Sequence, residues 1–310
     1  MELLKVAPSP HIKSRTSASM LLQHMVVVLF VILVVSSILL GLKVVLITLI
    51  SLASAFLFEL LYNYLVYEKL QVDDWSCVVT ALMYSCISGI NTPLYVPIIA
   101  MFFAIVVVKM MFGGFADNMF NPAASGAVIT IALFSSTFTN WLGSRGSTDF
   151  ALSPIEAIAS GNFAGFNVVD FLIGDVTASI GCVCAIAVLV GAVYLLAFRV
   201  IDYKMPLVAI GGYLVFVLIL NGFNFDCVLP YLFSGMFLFA SFYMLSDYTT
   251  SPNTTLGQII YALIFGVLSA VFIKINLCGE MGVLVALIIA NCFTPLFDRI
   301  IRPRYFGEGK

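Results

Sequence analysis

Apolar residues fill long runs of this chain, and short polar stretches separate the runs. A helix needs about 20 apolar residues to cross the hydrocarbon core of a membrane, so these runs predict ten spans. The run at 168–198 is too long for one crossing and contains Gly174 and Gly181, which predicts a break. The run at 76–91 carries Ser and Thr throughout, which predicts partial penetration. The predicted spans are 20–41, 43–66, 76–91, 94–113, 122–138, 168–198, 205–221, 227–246, 255–275 and 281–298.

Composition indicates the same class of protein. Hydrophobic residues make up 62% of the 310 residues and charged residues only 10%, whereas soluble domains are about 45–50% apolar and about 25% charged. The sequence therefore predicts an all-α, polytopic integral membrane protein that contacts lipid, and it gives no reason to expect a nucleic-acid partner. We expect one transmembrane domain over 20–300, between a cytoplasmic N-terminal tail (1–19) and a cytoplasmic C-terminal tail (301–310).

The basic residues predict how the spans are oriented. Cytoplasmic loops of membrane proteins carry an excess of Lys and Arg. With the N-terminus inside, Lys43, Arg145 and Lys274 fall outside, and the other eleven basic residues fall inside. This asymmetry predicts that both termini are cytoplasmic and that the connection at 139–167 lies on the outer face. The eleven residues predicted inside are Lys5, Lys13, Arg15, Lys69, Lys109, Arg199, Lys204, Arg299, Arg302, Arg304 and Lys310.

Two polar, helix-breaking stretches interrupt the apolar pattern. They read FGGFADNMFNPAASG at 112–126 and SDYTTSPNTTLG at 246–257. Irregular backbone at membrane depth is tolerated only where protein buries it or where it lines a cavity. Each stretch has Asp, then Asn or Ser four residues later, then Pro, where we expect a new helix to begin. The corresponding residues are Asp117, Asn121, Pro122 and Gly126 in the first stretch and Asp247, Ser251, Pro252 and Gly257 in the second.

A helix that begins at each proline presents free N–H groups and the positive end of its dipole. Such a place favours an anionic or electron-rich ligand. A pair of ordinary capped turns explains the same pattern, and the residues alone leave both interpretations open. The two stretches are four predicted spans apart, so they face the same side of the membrane.

Glu59 lies inside the second predicted span and is a further candidate. A charge at the membrane centre costs about 2.5–3.5 kcal/mol on insertion scales, which makes such a residue a functional candidate. Glu59 is either part of an ion pathway or a protonated or hydrogen-bonded side chain between helices. No pattern indicates a catalytic residue. The seven cysteines form no CxxC pair, so neither a zinc site nor a disulfide framework is indicated.

Four segments, in order along the chain, resemble a known family. They are SPHIKSR at 9–15, VVVKMMFGGFADNMFNPAASG at 106–126, MLSDYTTSPNTTLGQIIYALIFG at 244–266 and IIANCFTPLFDR at 288–299. The chain resembles the D subunit of Rnf-type electron transport complexes and the related B subunit of the sodium-pumping NADH:quinone oxidoreductase. The resemblance implies a ten-helix subunit of a redox-driven ion pump in the bacterial inner membrane. Such pumps pass electrons between ferredoxin and NAD while Na⁺ or H⁺ crosses the membrane.

The resemblance also implies two flavins. A non-covalent riboflavin is expected at the first polar stretch, where Asn118 and Asn121 offer amide groups to the polar edge of its ring. Gly113 and Gly114 are expected to let the backbone approach that ring. An FMN is expected to be joined through its phosphate to a hydroxyl side chain on the outer face. The residues expected at the non-covalent site are Gly113, Gly114, Asp117, Asn118, Asn121 and Asp247.

The attachment position of the FMN follows from an alignment with the family motif, in which a modified Thr usually precedes Pro. The corresponding stretch here is GSTDFALSPIEA at 146–157. Alignment on Pro154 places Ser153 at the attachment position, although the residues before it differ from the motif. A phosphoester needs only a hydroxyl, so we expect FMN on Ser153. Loss of the covalent flavin, or its attachment to Thr148 or Ser147, stays open.

The expected partners are other membrane and soluble subunits of the same complex. The chain has neither a nucleotide-binding domain nor a ferredoxin-like cysteine cluster, so it cannot complete such a reaction alone. Two other functions compete with a flavin-bearing subunit. One is a solute channel or transporter built on two broken helices, and the other is a structural subunit that anchors partners without covalent flavin. A yellow purified protein would favour the flavin, and transport by the isolated chain would favour the transporter.

Overall fold

The computed structural model describes residues 17–68, 75–115, 117–134, 158–159, 161, 167–233 and 235–301. Within these ranges the chain is helical and contains no β-strand, which confirms the predicted fold class. Four described helices are long and apolar enough to cross a membrane, and one bent pair of helices can count as a fifth. Five shorter apolar helices occupy the other predicted spans. The chain is therefore a multi-pass membrane protein.

Five helices form the first half of the described chain. The hydroxyl of Ser17 begins the first by accepting a hydrogen bond from the Met20 N–H (3.2 Å), and Gly41 ends it with a φ of +96°. The fourth helix continues as a π-helix (Phe102–Lys109) and a 3₁₀ turn (Met110–Phe112). The helices are α1 (Ala18–Leu40), α2 (Lys43–Tyr67), α3 (Ser76–Ile87), α4 (Val96–Met101) and α5 (Pro122–Leu133).

The second half contains the break that the sequence predicts in 168–198. The first helix of this half ends at Gly174, which has a φ of +98°, and the next begins at Ala185 after a 3₁₀ turn (Ile180–Cys182). A second π-helix (Ala240–Met244) follows α10 directly. The helices are α6 (Val168–Ile173), α7 (Ala185–Ala197), α8 (Lys204–Leu220), α9 (Val228–Phe233), α10 (Phe237–Phe239), α11 (Thr255–Lys274) and α12 (Gly282–Ile300).

Apolar side chains point outwards from the long helices and polar ones point inwards. Phe30 and Ile38 of α1 and Leu57 of α2 are exposed, whereas Ser36 and Glu59 on the same helices are buried. Lipid tails are as apolar as Leu, so an apolar exterior is stable in a bilayer. This distribution fits a bundle that lipid surrounds.

The broken helices are joined to each other inside the bundle. Ser88, at the end of α3, accepts a hydrogen bond from the Ile180 N–H (2.9 Å). Ser179 donates its N–H and its hydroxyl to Glu280 Oε2 (3.1 and 2.7 Å). Water cannot supply such partners in a bilayer, so protein groups must. The 12 residues of α3 rise about 18 Å, less than the roughly 30 Å of the hydrocarbon core, as expected for partial penetration.

Helices α8 and α11 approach each other closely at Gly266. A Cβ atom there would overlap the carbonyl oxygen of Ala209 and lie 3.0 Å from the Tyr213 backbone nitrogen. We expect Gly266→Ala to lower the free energy of unfolding by about 1–3 kcal/mol, because the two backbones must separate. Thermal unfolding of the purified protein in detergent measures this loss. Gly211→Ala in α8 is the control, since nothing lies within 4 Å of its Cβ position, and equal loss in both variants would contradict the close approach.

Candidate functional site

The first polar stretch forms a tight turn that depends on two glycines. Gly113 and Gly114 have φ values of +121° and +96°, which residues with a side chain rarely adopt. A Cβ atom at Gly113 would lie 2.9 Å from Asp117 Oδ2. The absence of a side chain therefore lets the turn fold back onto the Asp117 carboxylate.

Asn121 joins the two polar stretches. Its side-chain oxygen accepts a hydrogen bond from the Ala124 N–H (3.2 Å) and so caps α5. Pro122 occupies the first helical position, as the sequence predicts. The Asn121 Nδ2 donates to Asp247 Oδ2 at 3.4 Å, a long hydrogen bond. The two stretches therefore meet in space, although 126 positions separate these two residues.

The second polar stretch is a turn that follows the second π-helix. Asp247 Oδ1 accepts hydrogen bonds from the Thr249 N–H (3.3 Å) and from the Thr249 hydroxyl (3.1 Å). The carbonyl oxygen of Thr250 accepts from the Thr294 hydroxyl of α12 (2.9 Å). These bonds hold the Asp247 carboxylate beside Asn121.

The prediction that Pro252 begins the next helix is wrong. Helix α11 begins at Thr255, and Thr254 is its N-cap. The Thr254 hydroxyl accepts a hydrogen bond from the Gly257 N–H (3.2 Å), so it satisfies a backbone donor of the first turn. Proline has no hydroxyl with which to do this, and Pro252 lies two residues before the cap.

The two stretches border a cavity of about 290 Å³ at one end of the bundle. Its walls are mainly apolar. The first residues of three helices line it, namely Ala18 of α1, Ser76 of α3 and Pro122 of α5. The positive ends of three helix dipoles therefore lie at its border, which favours an electron-rich occupant. Polar side chains in the wall include those of Thr80, Lys109, Asn118, Asn121, Ser246 and Asp247.

Two polar atoms of this wall have no hydrogen-bond partner among the described residues. They are Asn118 Oδ1 and Ser246 Oγ, and both residues are 5% exposed. A buried polar group without a partner costs about 1–3 kcal/mol. A ligand in the cavity can supply the missing partners.

One residue of the cavity wall, Lys109, belongs to a buried ion pair. Lys109 ends the first π-helix, and its Nζ donates to Glu59 Oε2 of α2 at 2.8 Å. The Lys109 side chain is 2% exposed and the Glu59 side chain 3%. Lys109 lines the cavity, whereas Glu59 does not. Of the two side chains, the positively charged one therefore belongs to the wall.

The structure brings together some of the predicted site residues. Asn118, Asn121 and Asp247 line the cavity. Gly113, Gly114 and Asp117 shape the turn beside it without lining it. Glu59, the predicted ion-pathway residue, does not line the cavity but forms an ion pair with Lys109, which does. Ser153, the predicted FMN position, lies outside the described residues, as do Thr148 and Ser147.

Sequence reasoning missed Lys109 and Ser246. The count of basic residues places Lys109 on the cytoplasmic side, yet its side chain is buried in an ion pair. A search for a cation that could neutralise Glu59 would have found it, because Lys109 is one of few basic residues inside a predicted span. Ser246 is the first residue of the second polar stretch, but nothing in the sequence distinguishes it from the other serines and threonines of that stretch.

The chain is similar in sequence to known membrane subunits. A sequence profile described as the NQR2, RnfD, RnfE family matches residues 5–307. The D subunit of the Na⁺-translocating ferredoxin:NAD⁺ oxidoreductase complex of Acetobacterium woodii is 28% identical over 99% of this chain and 96% of that protein. The D subunit of the proton-translocating ferredoxin:NAD⁺ oxidoreductase complex of Clostridium ljungdahlii is 27% identical over 77% of each chain.

A more distant relative comes from a second kind of complex. The B subunit of the Na⁺-translocating NADH-quinone reductase of Pseudoalteromonas atlantica is 24% identical over 72% of this chain and 58% of that protein. The profile match extends over nearly the whole chain and includes both polar stretches and all the residues that line the cavity. The chain therefore belongs to the NQR2, RnfD, RnfE family.

Proposed function

We propose that this chain is a membrane subunit of an ion-translocating oxidoreductase complex and relays electrons through bound flavins. Its relatives are named as subunits of such complexes, and the named ions are Na⁺ in one and protons in another. The relay is coupled to the movement of Na⁺ or H⁺, and other membrane and soluble subunits complete the reaction. The proposed location is the bacterial inner membrane, with both termini in the cytoplasm.

The cavity at the two polar stretches supports a non-covalent flavin such as riboflavin. Its volume of about 290 Å³ is at the lower end of small-molecule sites, which are mostly apolar with a few placed polar groups. A flavin ring is flat, apolar on its faces and polar along one edge. The observation that carries the proposal is the pair of buried atoms in the wall that find no partner in the described part of the chain, Asn118 Oδ1 and Ser246 Oγ.

The residues of the wall have separate tasks in this proposal. Asn118 and Ser246 form hydrogen bonds to the polar edge and so orient the ring. Asn121 caps α5 and holds Asp247, whose second oxygen is fixed by Thr249. The apolar wall excludes water from the ring. The flavin, when bound, supplies the redox centre.

A covalent FMN on Ser153 is the second part of the proposal. Ser153 lies directly before Pro154, in the connection between α5 and α6. The charge distribution of the sequence predicts the outer face for that connection and the cytoplasmic side for the cavity, which the first residue of α1 lines. The two flavins would then occupy opposite sides of the membrane, as an electron relay across it needs.

The non-covalent site is tested by removing its unpartnered polar atoms. We expect Asn118→Leu and Ser246→Ala each to lower the affinity for riboflavin about tenfold to a hundredfold, because each lost hydrogen bond costs about 1–3 kcal/mol. The riboflavin content of the purified full chain measures this. Asn118 is a cleaner target than Asn121, whose substitution would also remove the cap of α5.

Ser269→Ala is the matched control for Ser246→Ala. The Ser269 hydroxyl is also buried without a partner among the described residues, but Ser269 is in α11 and does not line the cavity. We expect it to leave riboflavin content unchanged. Equal riboflavin content in the parent, Asn118→Leu and Ser246→Ala proteins would show that the polar stretches are merely structural.

The covalent site is tested by substitution of Ser153 in protein co-expressed with its flavin-transferring enzyme. We expect Ser153→Ala to abolish in-gel flavin fluorescence and Ser153→Thr to keep it, since Thr also offers a hydroxyl. Thr148→Ala is the control and should remain fluorescent. Intact-mass spectrometry checks the attached mass. Fluorescence that persists in Ser153→Ala would move the attachment to another hydroxyl.

The proposed orientation is tested by labelling single cysteines in intact cells with a membrane-impermeant maleimide. Cys278 and Cys292 are exposed, so both are first replaced by Ser. We expect Gly146→Cys to react from outside, and Tyr248→Cys to react only after permeabilisation. Tyr248 is 56% exposed beside the cavity, which makes it a reporter of that end of the bundle. The opposite pattern would reverse the orientation.

A further inference from the structure

Lys109 is the basic residue of the cavity wall, among the residues that the structure describes. Its ammonium group donates to the Glu59 carboxylate at 2.8 Å, and Glu59 does not line the cavity. A second carboxylate, that of Asp247, lies in the wall itself. The wall therefore contains one basic and one acidic side chain, and a second acidic side chain, that of Glu59, is bonded to the basic one.

We propose that Lys109 compensates the negative charge that reduction adds to a flavin in this cavity, and that Glu59 limits this effect by competing for the ammonium group. The inference rests on the proposed function, since it needs a flavin in the cavity. The inference goes beyond the binding of the flavin, which does not require the ion pair, and gives the pair a role in reduction.

The reason is electrostatic. An electron from the reduced donor of a partner protein adds one negative charge inside the cavity, and no proton has to move for Lys109 to act. Charges interact strongly where water is excluded. Lys109 lines the cavity and Glu59 does not, so the positive member of the pair belongs to the wall. Asp247 opposes this effect, and the positive ends of three helix dipoles add to it.

The two members of the ion pair should therefore shift the reduction potential in opposite directions. We expect Lys109→Met to lower the midpoint potential of the non-covalent flavin, with at least a tenfold change in the reduction equilibrium, about 59 mV for a one-electron couple. We expect Glu59→Gln to raise it, because the ammonium group then has no carboxylate competing for it. A merely structural disturbance would not separate the two variants by sign.

The measurement is spectroelectrochemical titration of the full chain, purified with riboflavin from cells that lack the flavin-transferring enzyme, so that no covalent FMN contributes. Lys109→Arg keeps the charge and should stay close to the parent. Lys274→Met is the matched control, because Lys274 is also held by a side chain, Asn221 Oδ1 at 2.8 Å, but does not line the cavity. It should leave the potential unchanged.

Each single variant leaves one buried charge without its partner, which can prevent folding. The double variant Lys109→Met, Glu59→Gln leaves no such charge. It should have a lower potential than the parent, because Lys109 lines the cavity and Glu59 does not, and its shift should be smaller than that of Lys109→Met.

The outcomes separate this inference from the proposed function. If the parent protein binds no riboflavin, the proposed function fails and the inference fails with it. If riboflavin is bound but the potential is unchanged in Lys109→Met and in the double variant, the inference alone is wrong. Shifts of the same sign in Lys109→Met and Glu59→Gln would also overturn it.

Discussion

Polar groups inside a lipid-surrounded bundle must find their partners within the protein, and this constraint accounts for most of the irregular structure of this chain. Where α3 ends, Ser88 receives the Ile180 N–H, and Ser179 is bound by Glu280. Where α5 begins, Asn121 both caps the helix and reaches the second polar turn. Two buried polar atoms of the cavity wall have no partner among the described residues, and unlike the Ser269 hydroxyl, which also has none there, they border a space that a ligand can occupy. A ligand in the cavity would meet the constraint at these two atoms.

The buried ion pair cannot be explained by stability alone. Replacing such a pair with apolar residues of similar volume is often neutral or stabilising, because taking two charges out of water costs several kcal/mol per ion. Lys109 and Glu59 nevertheless meet at 2.8 Å with almost no exposure. In our proposal, a ligand whose charge changes gives the pair a function, since the charge of Lys109 in the wall favours the more negative state of that ligand. The pair and the cavity are therefore best understood together.

Sequence reasoning found the parts of the site that contrast with their surroundings. Asn118, Asn121 and Asp247 are conspicuous because polar residues are rare in apolar runs, and Pro122 begins a helix as its chemistry predicts. The two π-helices that precede the polar turns were not predictable. A buried helix that is apolar on every face has no periodic pattern of apolar and polar residues from which its geometry could be predicted. Lys109 can be buried because Glu59 lies within 2.8 Å of it. That distance depends on how α2 packs against the π-helix, which the sequence does not show.

Each half of the described chain contains a lysine that bonds to a side chain of an earlier helix, but the two partners differ in charge. Lys109 bonds to Glu59, 50 positions earlier, and Lys274 at the end of α11 bonds to Asn221, 53 positions earlier. In each half the lysine joins two helices that are not consecutive in the chain. Helix α3 lies between them in the first half, and α9 and α10 lie between them in the second. The partner is a carboxylate in one half and a neutral amide in the other. An amide cannot compete for the ammonium charge as a carboxylate does, and of these two lysines it is Lys109, the one paired with a carboxylate, that lines the cavity.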